Sequence, residues 1–336
     1  MAAVAAQDLQ ANVVTDLDEV TSLWPGAATV FVADDHAERV ASRALRRREG
    51  VFVVGASQER LAVWSAPLGA RVIPLPGGVA WLGAVLDEGA SRAGAPVVAV
   101  LGGSGGVGAS TLAAGLALAG AGRREESSGA GRREESRGAA ALVDVDALGG
   151  GVDLLMGAER ADGWRWPKLW AAEGYVGDLR EYLPCVDGVS VLSMARETGA
   201  NLAGEPLIAI VQSLRRSHRL VVIDVGRSLT PAAREAVRLA SCQYLVVAPD
   251  VRGIAAADQV LRAYHPDRPE VVVRRGRGQG GVASTIRDLL GCDVVAWLPK
   301  APGLASSADR GDPPGRSAGR AYERVCRALV KRVGER

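Results

Sequence analysis

Lysine is almost missing from this chain of 336 residues: Lys168, Lys300 and Lys331 are the only three among 40 basic side chains, the rest being arginine. Aromatic residues are scarce as well, at 4%. Long apolar runs are lacking; the longest, near residues 112–122, is too short and too rich in glycine to cross a bilayer. No basic residue precedes the apolar residues at the N-terminus, so the pattern of a secretory leader is missing too. The four cysteines, Cys185, Cys242, Cys292 and Cys326, lie far apart and form no CxxC pair, which argues against a disulfide framework and a cysteine zinc site. Net charge is +2 and the basic residues are dispersed, so the concentrated footprint of a nucleic-acid binder is missing. These absences lead us to expect a cytoplasmic protein with no specific nucleic-acid partner.

What is present is ordinary globular composition, 48% hydrophobic and 23% charged, over a length that accommodates two domains. Residues 28–88 carry short apolar runs at 29–33, 51–54 and 71–74 separated by helix-like stretches, which is the rhythm of βαβ units. A closing helix is expected from residue 81, and the small-residue stretch 89–96 reads as a domain boundary. Domains are therefore expected over residues 1–92 and 96–336. In the second, the purely apolar run 97–101 has the character of a strand buried on both faces, and it leads through a glycine-rich turn into a helix over 110–119. Further strands are expected at 141–145, 189–192, 220–225, 244–248, 271–273 and 294–298, alternating with helices. That alternation predicts an α/β fold with a doubly wound, mostly parallel sheet. Residues 120–137 contain a nine-residue tandem duplication, GAGRREESS followed by GAGRREESR. It reads as a surface insertion, because lengthening a loop costs little.

The chemistry concentrates in Gly103, Ser104, Gly105, Gly106, Val107, Gly108, Ala109, Ser110 and Thr111, which have the glycine spacing and terminal hydroxyls of a phosphate-binding loop between strand and helix. Glycines let successive main-chain N–H groups turn inward, and the helix N-terminus adds partial positive charge. Ser110 is the candidate magnesium ligand. A glycine-rich turn that binds nothing is the alternative for the loop taken alone. Asp144 and Asp146 end one expected strand and Asp224 ends another, where carboxylates line the ligand crevice of α/β sheets. They could bind magnesium directly or through water, or orient an attacking water.

With these motifs in place, the chain resembles the MinD/ParA family of P-loop NTPases, the SIMIBI class, from about residue 96 onward. Residues 102–111, GGSGGVGAST, align with the family's deviant Walker A loop, Asp144 and Asp146 with its A-prime motif, and Asp224 with its Walker B aspartate. Within that family, GAST in place of GKT, the segment Trp164-Arg165-Trp166-Pro167, residues 183–194 and residues 298–311 resemble the actinobacterial CpaE-like group. That group includes septum-site-determining proteins of the Ssd type, found near secretion or pilus-assembly loci. The resemblance implies ATP or ADP with Mg2+, held by Ser110 and Asp224 with Asp144 through water. Asp144, Asp146 and Asp224 would be the catalytic set of an active member. It implies a homodimer, partners in the division or secretion/pilus machinery, and peripheral contact with the inner face of the membrane. It also implies a degenerate, truncated receiver-like domain over residues 1–92, with residues 12–15 as its second strand and Asp34 and Asp35 near the phosphoacceptor position.

The departures matter as much as the matches. Ser104 occupies the signature-lysine position and Ala109 the second lysine position, so both loop cations are gone. Coding bias would replace lysine by arginine and keep the charge, so composition does not explain them. Cations of comparable role contribute on the order of 10³ to 10⁵ in phosphoryl-transfer rate, so hydrolysis is expected to be weak or absent. Arg274 stands where relatives carry an adenine-reading asparagine. The expected function is a CpaE/Ssd-like regulator of septum-site placement or of secretion/pilus localisation, acting as a nucleotide-responsive switch or scaffold. The alternatives are an active ATPase with a substitute arginine and a nucleotide-free interaction module. The aromatic group Trp164, Trp166, Trp170, Tyr175 and Tyr182 is expected chiefly in the core. The amphipathic C-terminal segment is expected to dock on its own sheet, with a basic membrane-surface helix as the alternative.

Overall fold

The computed structural model describes residues 12–27, 29–48, 50–78, 94–122, 139–194, 196, 202–275, 281–314 and 318–335. The closing helix expected from residue 81, most of the 89–96 boundary stretch and nearly all of the duplicated segment lie outside the described residues. The chain divides into two compact units, Met1–Ala93 and Gly94–Arg336.

The first unit starts with α1 (Leu17–Leu23), whose N-cap Asp16 accepts the amide of Asp18 at 2.7 Å, the usual way of satisfying a free helix N–H. β1 (Val30–Ala33), α2 (Asp34–Ala41), β2 (Val51–Gly55), α3 (Gln58–Leu68) and β3 (Arg71–Pro74) follow, and the strands pair in parallel in the order β1-β2-β3. Trp24, Val32, Val40, Val53, Leu61 and Leu68 are among the residues that fill the core beneath the helices. One expectation fails here: residues 12–15 form no strand. Val13 is 69% exposed, so no burial rewards pairing of that segment, and Asp16 turns the chain straight into α1. Asp34 and Asp35 open α2, where their charge suits the helix dipole. Asp35 is hydrogen-bonded to His36 Nδ1 at 2.8 Å, and Asp34 lies 3.6 Å from Arg60.

The second unit is built on β4 (Val97–Gly102), α4 (Ala109–Ala121), β5 (Ala140–Asp144), α5 (Val152–Met156), β6 (Cys185–Val186), β7 (Val189–Leu192), α6 (Gly204–Ser217), β8 (Leu220–Gly226), α7 (Pro231–Leu239), β9 (Cys242–Val247), α8 (Val251–Tyr264), β10 (Glu270–Arg274), α9 (Val282–Leu290), β11 (Val294–Leu298), α10 (Gly303–Ala308) and α11 (Gly319–Gly334). Its eight strands run in the order β11-β10-β9-β4-β8-β5-β7-β6. Every pairing is parallel except the β6–β7 hairpin. The sheet is the doubly wound, mostly parallel one expected.

Alternation along the strands explains the two covering layers. Val97, Ala99 and Leu101 of β4 face a core closed by α6, α7, α8 and α9, while Val98 and Val100 face one closed by α4 and α11. Period-2 side-chain direction turns a continuous apolar run into two buried faces. α11 docks on the second of these faces. Its Tyr322, Cys326, Leu329 and Val333 are buried, and Gly115 of α4 makes the approach possible, since a Cβ there would lie 2.8 Å from Cys326 Sγ. Arg332 grips Glu270 of β10 at 2.6 Å and Tyr244 Oη donates to the Leu329 carbonyl at 3.0 Å. The apolar stripe of this helix is thus spent on the sheet. No helix among the described residues is long and apolar enough to cross a membrane.

Candidate nucleotide site

Three adjacent strands, β4, β8 and β5, bring the chemistry together at one end of the sheet. Val100 pairs with Asp224, and Asp224 pairs in turn with Asp144. The glycine loop begins where β4 ends: the Gly103 amide donates to the Val246 carbonyl at 2.9 Å, and a Cβ at Gly103 would sit 3.0 Å from that oxygen. Glycine is required for such close passage. Gly106 and Gly108 adopt φ of 68° and 99°, left-handed values that L side chains resist. Gly108 then caps α4, which has no side-chain cap and no acidic residue in its first turn. Its first amides are left free for an external anion. Gly105, Gly106 and Ser110 are exposed, and Val107 is buried as the loop's anchor. Ser104, Ala109 and Thr111 are partly buried.

Beneath the loop, Asp224 is buried, and the Ser110 hydroxyl donates to it. Burial holds its carboxyl well above the ordinary range; Asp146 adds to that effect, while Ser110 and the Gly226 amide oppose it. Its Oδ1 has no hydrogen-bond partner. A buried carboxylate oxygen without a partner, on a carboxylate that already meets the Ser110 hydroxyl, suits a divalent cation: Ser110 and Asp224 would supply two oxygens, and phosphate and water the remainder. No group of three or more His, Cys, Asp or Glu among the described residues is arranged to hold a metal.

Asp144 plays a different part. Its two oxygens accept the amides of Asp146 at 3.0 Å and Val152 at 3.1 Å, so it ties the loop after β5 to the start of α5. Burial first, and then the neighbouring Asp224, push its carboxyl upward. Asp146 accepts from Ser228 Oγ at 3.1 Å and the Leu148 amide at 3.2 Å. Its side chain lies over Gly226, which has φ 63° and where a Cβ would come within 2.3 Å of it. Of the aromatic group, Trp166 is fully buried and donates Nε1–H to the Asp144 carbonyl at 2.6 Å. Trp164 stacks on Tyr182 at 4.4 Å, whereas Trp170, Tyr175 and Tyr182 are 38%, 41% and 47% exposed. The core expectation holds for Trp166 alone in full.

Sequence reasoning missed the parts played by three residues. Asp153 is buried and held by Arg196 at 2.8 Å, Arg165 at 3.6 Å and Ser193 Oγ at 2.9 Å. This cluster braces α5 against the end of β7. Arg274 donates Nη1 to the Gly106 carbonyl at 2.8 Å across 168 residues, so it turns toward the phosphate loop. Arg227, three residues after Asp224, also points there: a Cβ at Gly105 would lie 3.3 Å from its Nη1. Arginine directly after the strand-end Val225-Gly226 pair was the available signal.

Comparison with known proteins bears on the family and the fold. A family model described as Rv3660c-like, CheY-like N-terminal domain matches residues 1–96. The uncharacterized protein Rv3660c of Mycobacterium tuberculosis is 37% identical over 303 residues, covering 86% of this chain and 81% of that protein. The chain belongs to the Rv3660c-like family. Among solved structures, a ParA family ATPase from Chlorobium tepidum aligns with TM-score 0.59 and 12% identity, covering 71% of this chain and 98% of that one. The septum-site-determining protein MinD of Pyrococcus horikoshii, complexed with Mg-ADP, aligns with TM-score 0.54 and 17% identity, covering 71% and 96%. The second unit therefore has the MinD/ParA fold behind a CheY-like N-terminal domain.

Proposed function

We propose that this family member is a nucleotide-responsive positioning factor of the CpaE/Ssd type, a switch or scaffold for septum-site or secretion/pilus placement with little or no ATP hydrolysis. The observation that carries the proposal is the open glycine loop directly over Asp224, with Ser110 bonded to that carboxylate and Oδ1 left without a partner. Gly103, Ser104, Gly105, Gly106, Val107, Gly108, Ala109, Ser110 and Thr111 would cradle the phosphates of ATP or ADP through main-chain amides. Ser110 and Asp224 would hold Mg2+, with Asp144 behind them. The Mg-ADP complex of the Pyrococcus MinD supports the ligand class.

Weak turnover follows from chemistry. Ala109 and Ser104 place no cation at the two lysine positions to neutralise the γ-phosphate as the bond breaks, and cations of comparable role contribute on the order of 10³ to 10⁵ in rate. Self-association has support from three exposed apolar side chains at the same end of the sheet, Leu148, Leu229 and Val251, at 86%, 48% and 84% exposure. A homodimer facing through the nucleotide is the arrangement we infer, with division or secretion/pilus proteins as further partners. The test is thermal stabilisation of the purified chain by Mg-ATP together with phosphate release. Stabilisation without release beyond that of Asp224→Ala supports the switch; release well above that variant supports an active ATPase. No stabilisation at millimolar nucleotide leaves the interaction module.

A further inference from the structure

We infer that Arg227 and Arg274 form a two-sided guanidinium clamp that binds the phosphates of the nucleotide from the flanks of the loop, with no cation restored at positions 104 and 109 where transfer would draw on it. The inference rests on the nucleotide-site reading above and deepens it. β8 borders β4 directly, while β10 lies two strands away on the other side. A side chain leaving the turn after β8 and one leaving the end of β10 therefore reach the loop from opposite flanks. Arg227 Nη1 stands over Gly105, and Arg274 Nη1 donates to the carbonyl of Gly106. These glycines occupy the centre of the loop, between Ser104 and Ala109, the two sites where lysines have gone.

Three further observations agree. Both arginines are exposed, and neither takes part in an ion pair among the described residues, so their charge is available to an incoming anion. Arg274 uses Nη1 to hold the loop, which leaves the other edge of its guanidinium for phosphate oxygens. A planar guanidinium can present two parallel N–H donors to a phosphate, a geometry that lysine lacks. The unpartnered Asp224 Oδ1 beneath the loop points independently to a bound polyphosphate-cation complex rather than to a closed structural turn.

The experiment uses the full chain and two probes, Mg-ATP and inorganic tripolyphosphate with Mg2+, titrated by calorimetry. Tripolyphosphate isolates the phosphate contacts from any contact to the base. Arg227→Gln and Arg274→Gln are each expected to weaken both probes about tenfold, as a lost charge-assisted contact does, and the pair together about a hundredfold. Arg227→Lys, which keeps the charge without the paired donors, should recover only part of the loss. Arg262→Ala, which removes an exposed arginine paired with Asp258 on α8, should leave both affinities unchanged. Unfolding midpoints without ligand check that each variant is folded. If the wild-type chain binds both probes and the glutamine variants bind equally well, the clamp is wrong and the nucleotide site stands. If the wild-type chain binds neither probe, both fall.

Discussion

Replacing Asp224 by asparagine should make the protein more stable and less able to respond to nucleotide. The carboxyl is buried, its Oδ1 is unpartnered, and burial lifts it from 3.8 to about 6. Because the folded value exceeds the unfolded one, its contribution to stability is complete below about pH 4 and is lost as pH rises through about 6. Above that, ionisation in the folded state costs about 1.36 kcal/mol for each of the roughly two units, or ~3 kcal/mol. Asparagine has the same shape and does not ionise. Asp224→Asn should therefore gain up to ~3 kcal/mol at pH 8, roughly 6 to 12 °C in Tm for a unit of this size, and gain almost nothing at pH 4. The assay is urea unfolding followed by tryptophan fluorescence at both pH values, repeated at pH 8 with Mg-ATP. Ligand should raise the wild-type midpoint and leave the variant's much less changed, because stabilisation follows affinity for the folded state. An Asp224→Asn protein no more stable than wild type at pH 8, or advantaged equally at pH 4 and pH 8, would refute the reasoning.

Other perturbations have equally defined outcomes. Gly226→Ala combines a left-handed backbone with a Cβ 2.3 Å from Asp146, so unfolding experiments should show a loss of about 3 kcal/mol and weakened Mg-ATP protection. His218 is buried and neutral, bonded to the Leu214 carbonyl and Ser190 Oγ, and burial pushes it from 6.5 down to about 4. Its stabilising contribution is complete above pH 6.5 and falls by about 3 kcal/mol as pH drops to 4; that acid-side loss should be absent from the pH series of His218→Asn. Trp166→Phe removes the indole donor to Asp144 while keeping an aromatic ring, and should cost ~1 to 2 kcal/mol by chemical unfolding. Leu148→Asp places a charge on an exposed apolar position in the loop after β5. It should abolish nucleotide-dependent self-association in light scattering without altering the monomer's unfolding midpoint.

Much of the site was legible because its signals are local. Glycine spacing at residues 103–108 encodes backbone conformations that other residues resist, and Asp144 and Asp224 end runs of apolar residues that can only be buried strands. The N-terminal segment 12–15 misled because its strand was carried over from the resemblance to a receiver-like domain, and four residues of local sequence do not show whether a neighbour exists to pair with them. The two-residue strand β6 carries too few residues to show any period. Arg227 was unremarkable in sequence, and Arg274 was marked only as a departure from its relatives.

The amino-acid order by itself determined the α/β class, the position of the glycine loop, the uncharged residues at positions 104 and 109 and the carboxylates at the strand ends, since each depends on residues within a few positions of one another. Only tertiary structure decided that β4 lies between β8 and β9, which carboxyls lose water and rise in pKa, and where two distant arginines deliver their charge. Strand order and burial arise from crossover connections and from the packing of helices on both faces. Such contacts join residues as far apart as Gly106 and Arg274, a separation across which no local pattern carries information.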